Sequence, residues 1–131
     1  MPARILVIDD NRTNLDLMTY LLNAFGHEAT GITDPTVALE QARAGTFDAI
    51  ISDILMPEID GFSLARTFKA DPQLQSKPLI AVTALAMAGD RERVLAAGFS
   101  GYISKPIDPQ TFVSQVDSFL PEALRGQNPD R

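Results

Sequence analysis

Short hydrophobic runs alternate along the chain with longer stretches in which apolar residues recur at helical spacing. Five of the runs predict β-strands, at residues 4–9, 27–33, 48–53, 78–83 and 101–105. The first, third and fourth runs are almost continuously apolar, which is typical of strands that are covered on both faces. The second run is more polar, so we expect that strand at or near an edge of the sheet.

Helical patterns fill the intervals between the predicted strands, and cap, glycine and proline residues mark where they begin and end. These boundaries are Asp9-Asp10-Asn11, Gly26, Asp34-Pro35, Gly45, Gly61, Gly98, Asp108-Pro109 and Pro121. The fourth helix, at about 87–97, has a thin apolar stripe that consists essentially of Val94 and Leu95. Because few apolar side chains would anchor it, we expect this helix to be mobile.

Strands that alternate with helices predict an α/β fold with a parallel sheet, helices on both faces and right-handed connections. For five strands, the common arrangement is the flavodoxin-like (βα)5 doubly wound sheet with strand order 2-1-3-4-5. We expect one domain over residues 1–121. Residues 122–131 lack a helical pattern and predict a flexible C-terminal tail.

The composition narrows the classes of function. The chain has 131 residues, which suits one domain with its own core, and it has no cysteine, which excludes disulfides, thiolate metal sites and cysteine nucleophiles. Its formal net charge of −6 argues against direct binding to nucleic acid. No apolar run approaches the length of a membrane span and the first residues show no signal-peptide pattern. We therefore expect no membrane insertion and a cytoplasmic location.

Polar side chains follow four of the predicted strands at one edge of the sheet. Asp9 and Asp10 follow the first strand, Asp53 ends the third, and Thr83 and Lys105 end the fourth and fifth. Ligands of such sheets bind at this edge, where strands 1 and 3 are neighbours. Three crowded carboxylates repel one another unless a cation intervenes, and all-oxygen ligands favour Mg²⁺, which phosphate oxygens can complete. The lysine and the hydroxyl would then face the same phosphoryl group.

Each of these residues alone has an ordinary explanation. Aspartates after strands often cap helices or turns, and a lysine after a strand is commonly a surface residue. An isolated Asp53 is more often a turn residue than a nucleophile, and only the coincidence of five polar groups at one edge favours a site. His27, the single histidine, has no candidate partner for metal binding, so we expect it to be structural.

Four motifs at these spacings together resemble the receiver domain of two-component response regulators: Asp9-Asp10, Asp53, Thr83-Ala84 and Lys105-Pro106. The resemblance covers residues 3–121, and it is closest in style to stand-alone regulators and to receivers of hybrid histidine kinases. It implies a signalling switch that accepts a phosphoryl group from a phosphohistidine of a sensor histidine kinase or histidine phosphotransfer protein. It implies no enzymatic activity beyond the chain's own phosphorylation and slow dephosphorylation.

The resemblance also implies roles for the residues of the site. Asp53 is the phosphoacceptor. Asp10, Asp53 and the main-chain carbonyl of Leu55 bind Mg²⁺ directly, while Asp9 acts mostly through water. Lys105 holds one phosphoryl oxygen.

In the same family pattern, Thr83 moves to bond a second phosphoryl oxygen, and Tyr102 is the switch aromatic that rotates inward. The Lys105-Pro106 bond corresponds to the family's cis peptide bond. The surface of the fourth helix, fifth strand and last helix contacts a downstream protein, and the chain is a monomer or a weak dimer.

Two departures from the family pattern affect the lifetime of the phosphoryl group. Leu55 and Leu85 stand two residues after Asp53 and Thr83, where many receivers carry polar side chains. Two leucines cannot orient an attacking water, so we hypothesise a long-lived aspartyl phosphate.

Three other functions compete with the switch. An aspartate-nucleophile phosphatase would need a second acid where Leu55 stands. A flavodoxin-type flavin carrier would need a Ser/Thr/Gly phosphate cradle after strand 1, where the sequence is the acidic DDNRTN. A receiver-like protein that only makes contacts would not need Asp53 and Lys105. The fold alone hosts all of these functions.

Overall fold

A computed structural model of the chain describes residues 3–54, 61–84 and 90–121. Five strands and five helices alternate within these ranges. The strands are β1 (Arg4–Ile8), β2 (Glu28–Ile32), β3 (Ala49–Asp53), β4 (Leu79–Thr83) and β5 (Gly101–Ser104). The helices are α1 (Arg12–Ala24), α2 (Ala38–Ala44), α3 (Gly61–Ala70), α4 (Asp90–Ala96) and α5 (Phe112–Asp117), and a 3₁₀ turn, Pro35–Val37, precedes α2.

All four strand pairs of the sheet are parallel, and the strand order is β2-β1-β3-β4-β5. The predicted α/β fold and strand order are therefore confirmed. The polar second strand lies at one edge, as expected, and three of its five residues are exposed while the other two are partly buried. The order reverses beside β1, so the carboxyl ends of β1 and β3 lie next to each other, with Ile8 opposite Ser52.

Alternate residues of each strand pack into two separate hydrophobic layers. In β1, Ile5 and Val7 join α1 and α5 on one face, while Leu6 and Ile8 join α2, α3 and α4 on the other. Most side chains of both layers are aliphatic, and burial of each large apolar side chain contributes about 1.5–3 kcal/mol to folding. The sheet is thus a rigid support whose carboxyl edge carries the polar groups.

Local capping explains where several helices begin and end. The Asn11 side chain accepts a hydrogen bond from the Asn14 N–H at the start of α1. The Asp34 side chain does the same for Thr36 N–H, as the cap-then-proline pattern predicts. Gly26 after α1 has φ 94° and Gly98 after α4 has φ 113°, a backbone conformation that favours glycine.

Some boundaries and one core residue differ from the sequence-based prediction. Strands β1, β3, β4 and β5 are each one residue shorter than predicted, and α4 extends over Asp90–Ala96, with residues 85–89 outside the described part. Of the two residues predicted to anchor α4, Val94 is buried but Leu95 is 41% exposed, so the prediction for Leu95 was wrong. The predicted tail, 122–131, lies outside the described residues. Among the helices described, none has the length and apolar character needed to cross a bilayer.

Candidate functional site

Three carboxylates meet at the carboxyl edge of the sheet. Asp9 and Asp10 directly follow β1, Asp53 is the last residue of β3, and one oxygen from each lies within 4.8 Å of the others. Asp9 and Asp53 are buried, whereas Asp10 is exposed at the mouth of the site. The structure therefore brings together the three acids that the strand ends predicted.

Lys105 reaches into this acidic cluster from the end of β5. Its Nζ lies 3.1 Å from Oδ2 of Asp53 and 3.5 Å from Oδ2 of Asp9. The Lys105-Pro106 peptide bond is cis, as the family resemblance implied. The backbone N–H of Lys105 also donates to the carbonyl of Thr83 at 2.9 Å, which links the ends of β4 and β5.

The two oxygens of Asp9 have different surroundings. Oδ1 accepts a hydrogen bond from the Asn11 N–H, but Oδ2 is buried and accepts none from the described residues. Burial raises the pKa of Asp9 above its usual value, and the charges of Asp53 and Asp10 add to the rise, while the Asn11 N–H and Lys105 oppose it. A buried carboxylate oxygen without a hydrogen bond suits a bound cation or its water.

Helix α3 begins directly against the backbone of β3. The Gly61 N–H donates to the carbonyl of Ile54 at 2.9 Å, and a Cβ on Gly61 would lie 2.5 Å from Cα of Ile54 and 2.7 Å from the carbonyl oxygen of Asp53. Only glycine fits this close approach. Residues 55–60, including the predicted ligand carbonyl of Leu55, lie outside the described part of the chain.

The two predicted switch residues lie on neighbouring strands. Thr83 is fully buried at the end of β4, and Tyr102 is half-buried on β5, paired with Ala81. Tyr102 also lines a groove of about 560 Å³ between α4, β5 and α5, together with Leu95 and Phe119. Thr83 thus belongs to the site edge, and Tyr102 to the surface beside it.

His27 has a structural role at the opposite edge of the sheet. Its Nδ1 accepts a hydrogen bond from the Ala3 N–H at 2.9 Å, and its Nε2 lies 2.8 Å from Oδ1 of Asp117 in α5. Both side chains are buried. The sequence pointed to a structural histidine, but no sequence signal identifies Asp117 as its partner, because the two residues are 90 positions apart.

Comparisons with known proteins agree with this geometry. The family described as response regulator receiver domain matches residues 5–117. The polar-differentiation response regulator DivK of Brucella anthropi is 38% identical over 123 residues, which cover 94% of this chain and all of that protein.

Solved structures show the same likeness. The chemotaxis response regulator CheY4 of Vibrio cholerae superimposes with a TM-score of 0.86 at 27% identity, covering 92% of this chain and 100% of that one. The receiver domain of sensor histidine kinase PA1611 from Pseudomonas aeruginosa, solved with a magnesium ion coordinated in its active site cleft, has a TM-score of 0.81 at 31% identity and covers 91% of this chain and 98% of that one.

Neither the phosphatase nor the flavin carrier is favoured by these matches, and the acidic cluster with its lysine fits the receiver pattern instead. Receiver domains generally bind Mg²⁺ in such a cluster and interact with histidine kinases and downstream targets. On the family match and the identity to DivK, the chain belongs to the response regulator receivers of two-component signalling, which act as phosphorylation-dependent switches.

Proposed function

We propose that Asp53 accepts a phosphoryl group from a phosphohistidine of a sensor histidine kinase or a histidine phosphotransfer protein. The observation that carries the proposal is the contact of 3.1 Å between Lys105 Nζ and Asp53 Oδ2 within a cluster of three carboxylates. Lys105 at this distance holds the Asp53 carboxylate in position at the edge of the sheet. It also provides a positive charge where the oxygens of the transferred group would lie.

The donor set fits Mg²⁺. Oxygen ligands are its preference, and one or two carboxylates with waters are its usual coordination in phosphoryl-transfer sites. Asp10 and Asp53 would hold the ion directly, with the Leu55 carbonyl as a further ligand, and the hydrogen-bond-free Oδ2 of Asp9 would accept from its water. When bound, the ion would neutralise the carboxylates and the phosphoryl oxygens.

The remaining steps fall to residues of the chain. A carboxylate oxygen of Asp53 attacks phosphorus, the P–O bond forms as the P–N bond breaks, and the imidazole leaves with the electron pair of the broken bond. Lys105 is placed by its backbone bond to Thr83 and by the buried strand ends. Positioning and charge neutralisation account for most of the catalysis of such a transfer. In this proposal the chain catalyses only its own phosphorylation and its slow dephosphorylation, and it acts on no other substrate.

Phosphorylation would then change the surface of α4, β5 and α5. It adds about −1.5 to −2 charges at Asp53. Recruitment of the Thr83 hydroxyl would shift the end of β4, and Tyr102 would rotate inward from the groove that it lines with Leu95. This groove would contact the downstream protein, and the chain would remain a monomer or a weak dimer. Phosphohistidine donors are formed from ATP, so we place this reaction in the cytoplasm.

Intact mass measured after incubation with acetyl phosphate and Mg²⁺ tests the proposal. We expect one phosphoryl adduct on the wild-type chain and none on Asp53→Ala. The matched control is Asp16→Ala, which removes an exposed acid of α1 and should leave the adduct in place. No adduct on the wild-type chain, or an adduct that survives Asp53→Ala, contradicts the assignment. A colourless purified protein is expected, because a visible flavin spectrum belongs to the alternative function.

A further inference from the structure

A second groove, of about 370 Å³, lies between α3 and α4, and none of the three acids of the site lines it. Its lining combines a half-buried aromatic ring, two small side chains and two arginines: Phe62, Ala96, Ala97, Arg66 and Arg93. No titratable acid lines it among the described residues. The groove therefore combines apolar surface with two guanidinium groups, whereas the site at the sheet edge is a cluster of carboxylates.

The guanidinium of Arg93 is held over the aromatic ring. Its Cζ lies 5.0 Å from the centre of the Phe62 ring, a cation–π distance that fixes the group in place. The side chain is nevertheless 65% exposed. Its contact with Asp90, three positions away on the same helix, is 3.6 Å long, which exceeds a hydrogen-bond distance, and it leaves most of the Arg93 side chain exposed although the Asp90 side chain is only 14% exposed. A ligand carboxylate can therefore compete for this arginine.

Arg66 makes fewer polar and cation–π contacts than Arg93 within the described residues. Its Nη2 donates to Ser63 Oγ at 3.2 Å, and it forms no ion pair with any residue in the described ranges. Lys69, the next cation along α3, differs because its Nζ donates to the carbonyls of Gln75 and Lys77 at 3.1 and 3.2 Å. The two arginines are thus the cations of this face that remain available to a ligand, on a chain whose net charge is −6.

We propose that the groove docks an acidic segment of a partner protein. Two ligand carboxylates would pair with Arg66 and Arg93, and an apolar side chain between them would lie on Phe62 and the two alanines. Arginine suits this task because its planar fork binds a carboxylate in a bidentate manner. Complementary charge at such a rim speeds association and fixes the register of the bound segment.

The shape of the groove favours a peptide over a nucleotide. A nucleobase would need an open aromatic face for stacking, but the guanidinium of Arg93 already lies over the Phe62 ring. The floor beside the ring consists of alanines, which leave room for an aliphatic side chain. The groove is also separate from the one beside Tyr102, which Arg91 lines from the same helix.

The test uses the full chain labelled with ¹⁵N and titrated with a synthetic helical peptide of glutamate and leucine. We expect saturable shift changes at Phe62, Arg66, Arg93, Ala96 and Ala97, and none when every glutamate of the peptide is replaced by glutamine. The double variant Arg66→Glu with Arg93→Glu should raise Kd by roughly tenfold or more, because both attractive contacts become repulsive. A second pair, Arg66→Gln with Arg93→Gln, should weaken binding in the same direction without reversing charge.

Arg91→Glu is the matched control, since it makes the same change on α4 but at the other groove, and it should leave Kd within twofold. Equal binding of the glutamine peptide, shifts centred on Tyr102, or an unchanged Kd in both double variants overturns the proposal. Two further outcomes would assign the groove to another occupant and overturn the proposal. One is saturable binding of AMP at the same five residues, and the other is concentration-dependent self-association that is lost in the glutamate double variant.

Discussion

Nε2 of His27 lies 2.8 Å from Oδ1 of Asp117, and this contact ties the start of β2 to the end of α5 at the amino edge of the sheet. Because Nδ1 of the same ring accepts from the Ala3 N–H, the proton of the neutral imidazole must be on Nε2, where it is donated to the carboxylate. The ring thus satisfies one donor and one acceptor that are both buried.

Removal of this imidazole should destabilise the fold without affecting phosphorylation. His27→Ala leaves the Ala3 N–H and the Asp117 carboxylate buried without this partner, at a cost of about 2–4 kcal/mol in the free energy of unfolding. Urea denaturation measures the loss, and the exposed neighbour Glu28 provides the control, since Glu28→Ala should cost less than about 0.5 kcal/mol. A loss below 1 kcal/mol, or loss of the phosphoryl adduct in folded His27→Ala, would contradict this assignment.

The second prediction concerns Asp9 in the metal-free protein. Its pKa is raised, chiefly by burial, so at neutral pH its ionised form is less stable in the folded chain than in the unfolded chain. Asp9→Asn should therefore raise the unfolding midpoint in EDTA, by roughly 3–5 °C for each kcal/mol gained in a domain of this size. The same variant should weaken Mg²⁺ binding in a calorimetric titration. If Asp9→Asn unfolds at a lower temperature than wild type in EDTA, neighbouring groups offset the cost of burying the Asp9 charge, and the prediction is wrong.

Asp71 should make the opposite contribution to the pH dependence of stability. The Gln73 N–H lowers the pKa of this carboxyl below its usual range, with the Arg43 side chain and the Leu74 N–H acting in the same direction. A lowered folded-state pKa gives stability that is fully present above the unfolded value of about 3.9 and is lost as the pH falls through the folded value. Unfolding free energies compared between wild type and Asp71→Asn below pH 5 should show a gap that closes as the pH falls. If the difference in unfolding free energy widens as the pH falls, the lowered pKa of Asp71 is contradicted.

Thr83 provides a test of the switch apart from the phosphorylation step. Its hydroxyl is buried at the end of β4, beside the Lys105 backbone, so Thr83→Ala removes a group that would bond the phosphoryl oxygen but leaves the nucleophile and the lysine in place. We expect Asp53 to be phosphorylated by acetyl phosphate in the variant, with the shift of the Tyr102 ring resonances reduced severalfold. Thr83→Ser, which keeps the hydroxyl, is the control and should retain most of that shift.

The fold and the carboxylate site could be predicted because both follow from local patterns of apolar and polar residues in the sequence. Runs such as Ile5–Ile8 have few alternatives to a buried strand, and parallel strands bring Asp9 and Asp53 to one edge whatever the details of packing. Contacts that depend on how helices pack could not be predicted from the sequence in this way. The Phe62–Arg93 stacking and the His27–Asp117 bond join elements far apart in the chain, and no periodicity encodes them. Leu95 shows the same limit, because spacing places it beside Val94 but cannot show that 41% of it stays exposed.

The last prediction concerns how long the phosphoryl group stays on Asp53. Leu55 and Leu85 follow β3 and β4 in the sequence and lie outside the described residues; they stand at positions where many receivers carry polar side chains, which could orient an attacking water. Leucine offers neither a donor nor an acceptor, so hydrolysis should depend on an unassisted water. We expect the double variant Leu55→Asn with Leu85→Glu to lose its phosphoryl group faster than wild type, by a factor on the order of ten, which corresponds to about 1.4 kcal/mol of barrier.

Decay of the adduct, followed by intact mass after removal of the phosphodonor, measures both rates at one Mg²⁺ concentration. The single variants separate the two positions, and Leu55→Ala with Leu85→Ala controls for the loss of leucine bulk, since it admits water without orienting it. If wild type loses the group as fast as or faster than the Asn/Glu variant, the leucines do not protect it. If the alanine pair matches the Asn/Glu pair, protection comes from exclusion of water by bulk, whereas an alanine pair close to wild type identifies the missing polar groups as the cause.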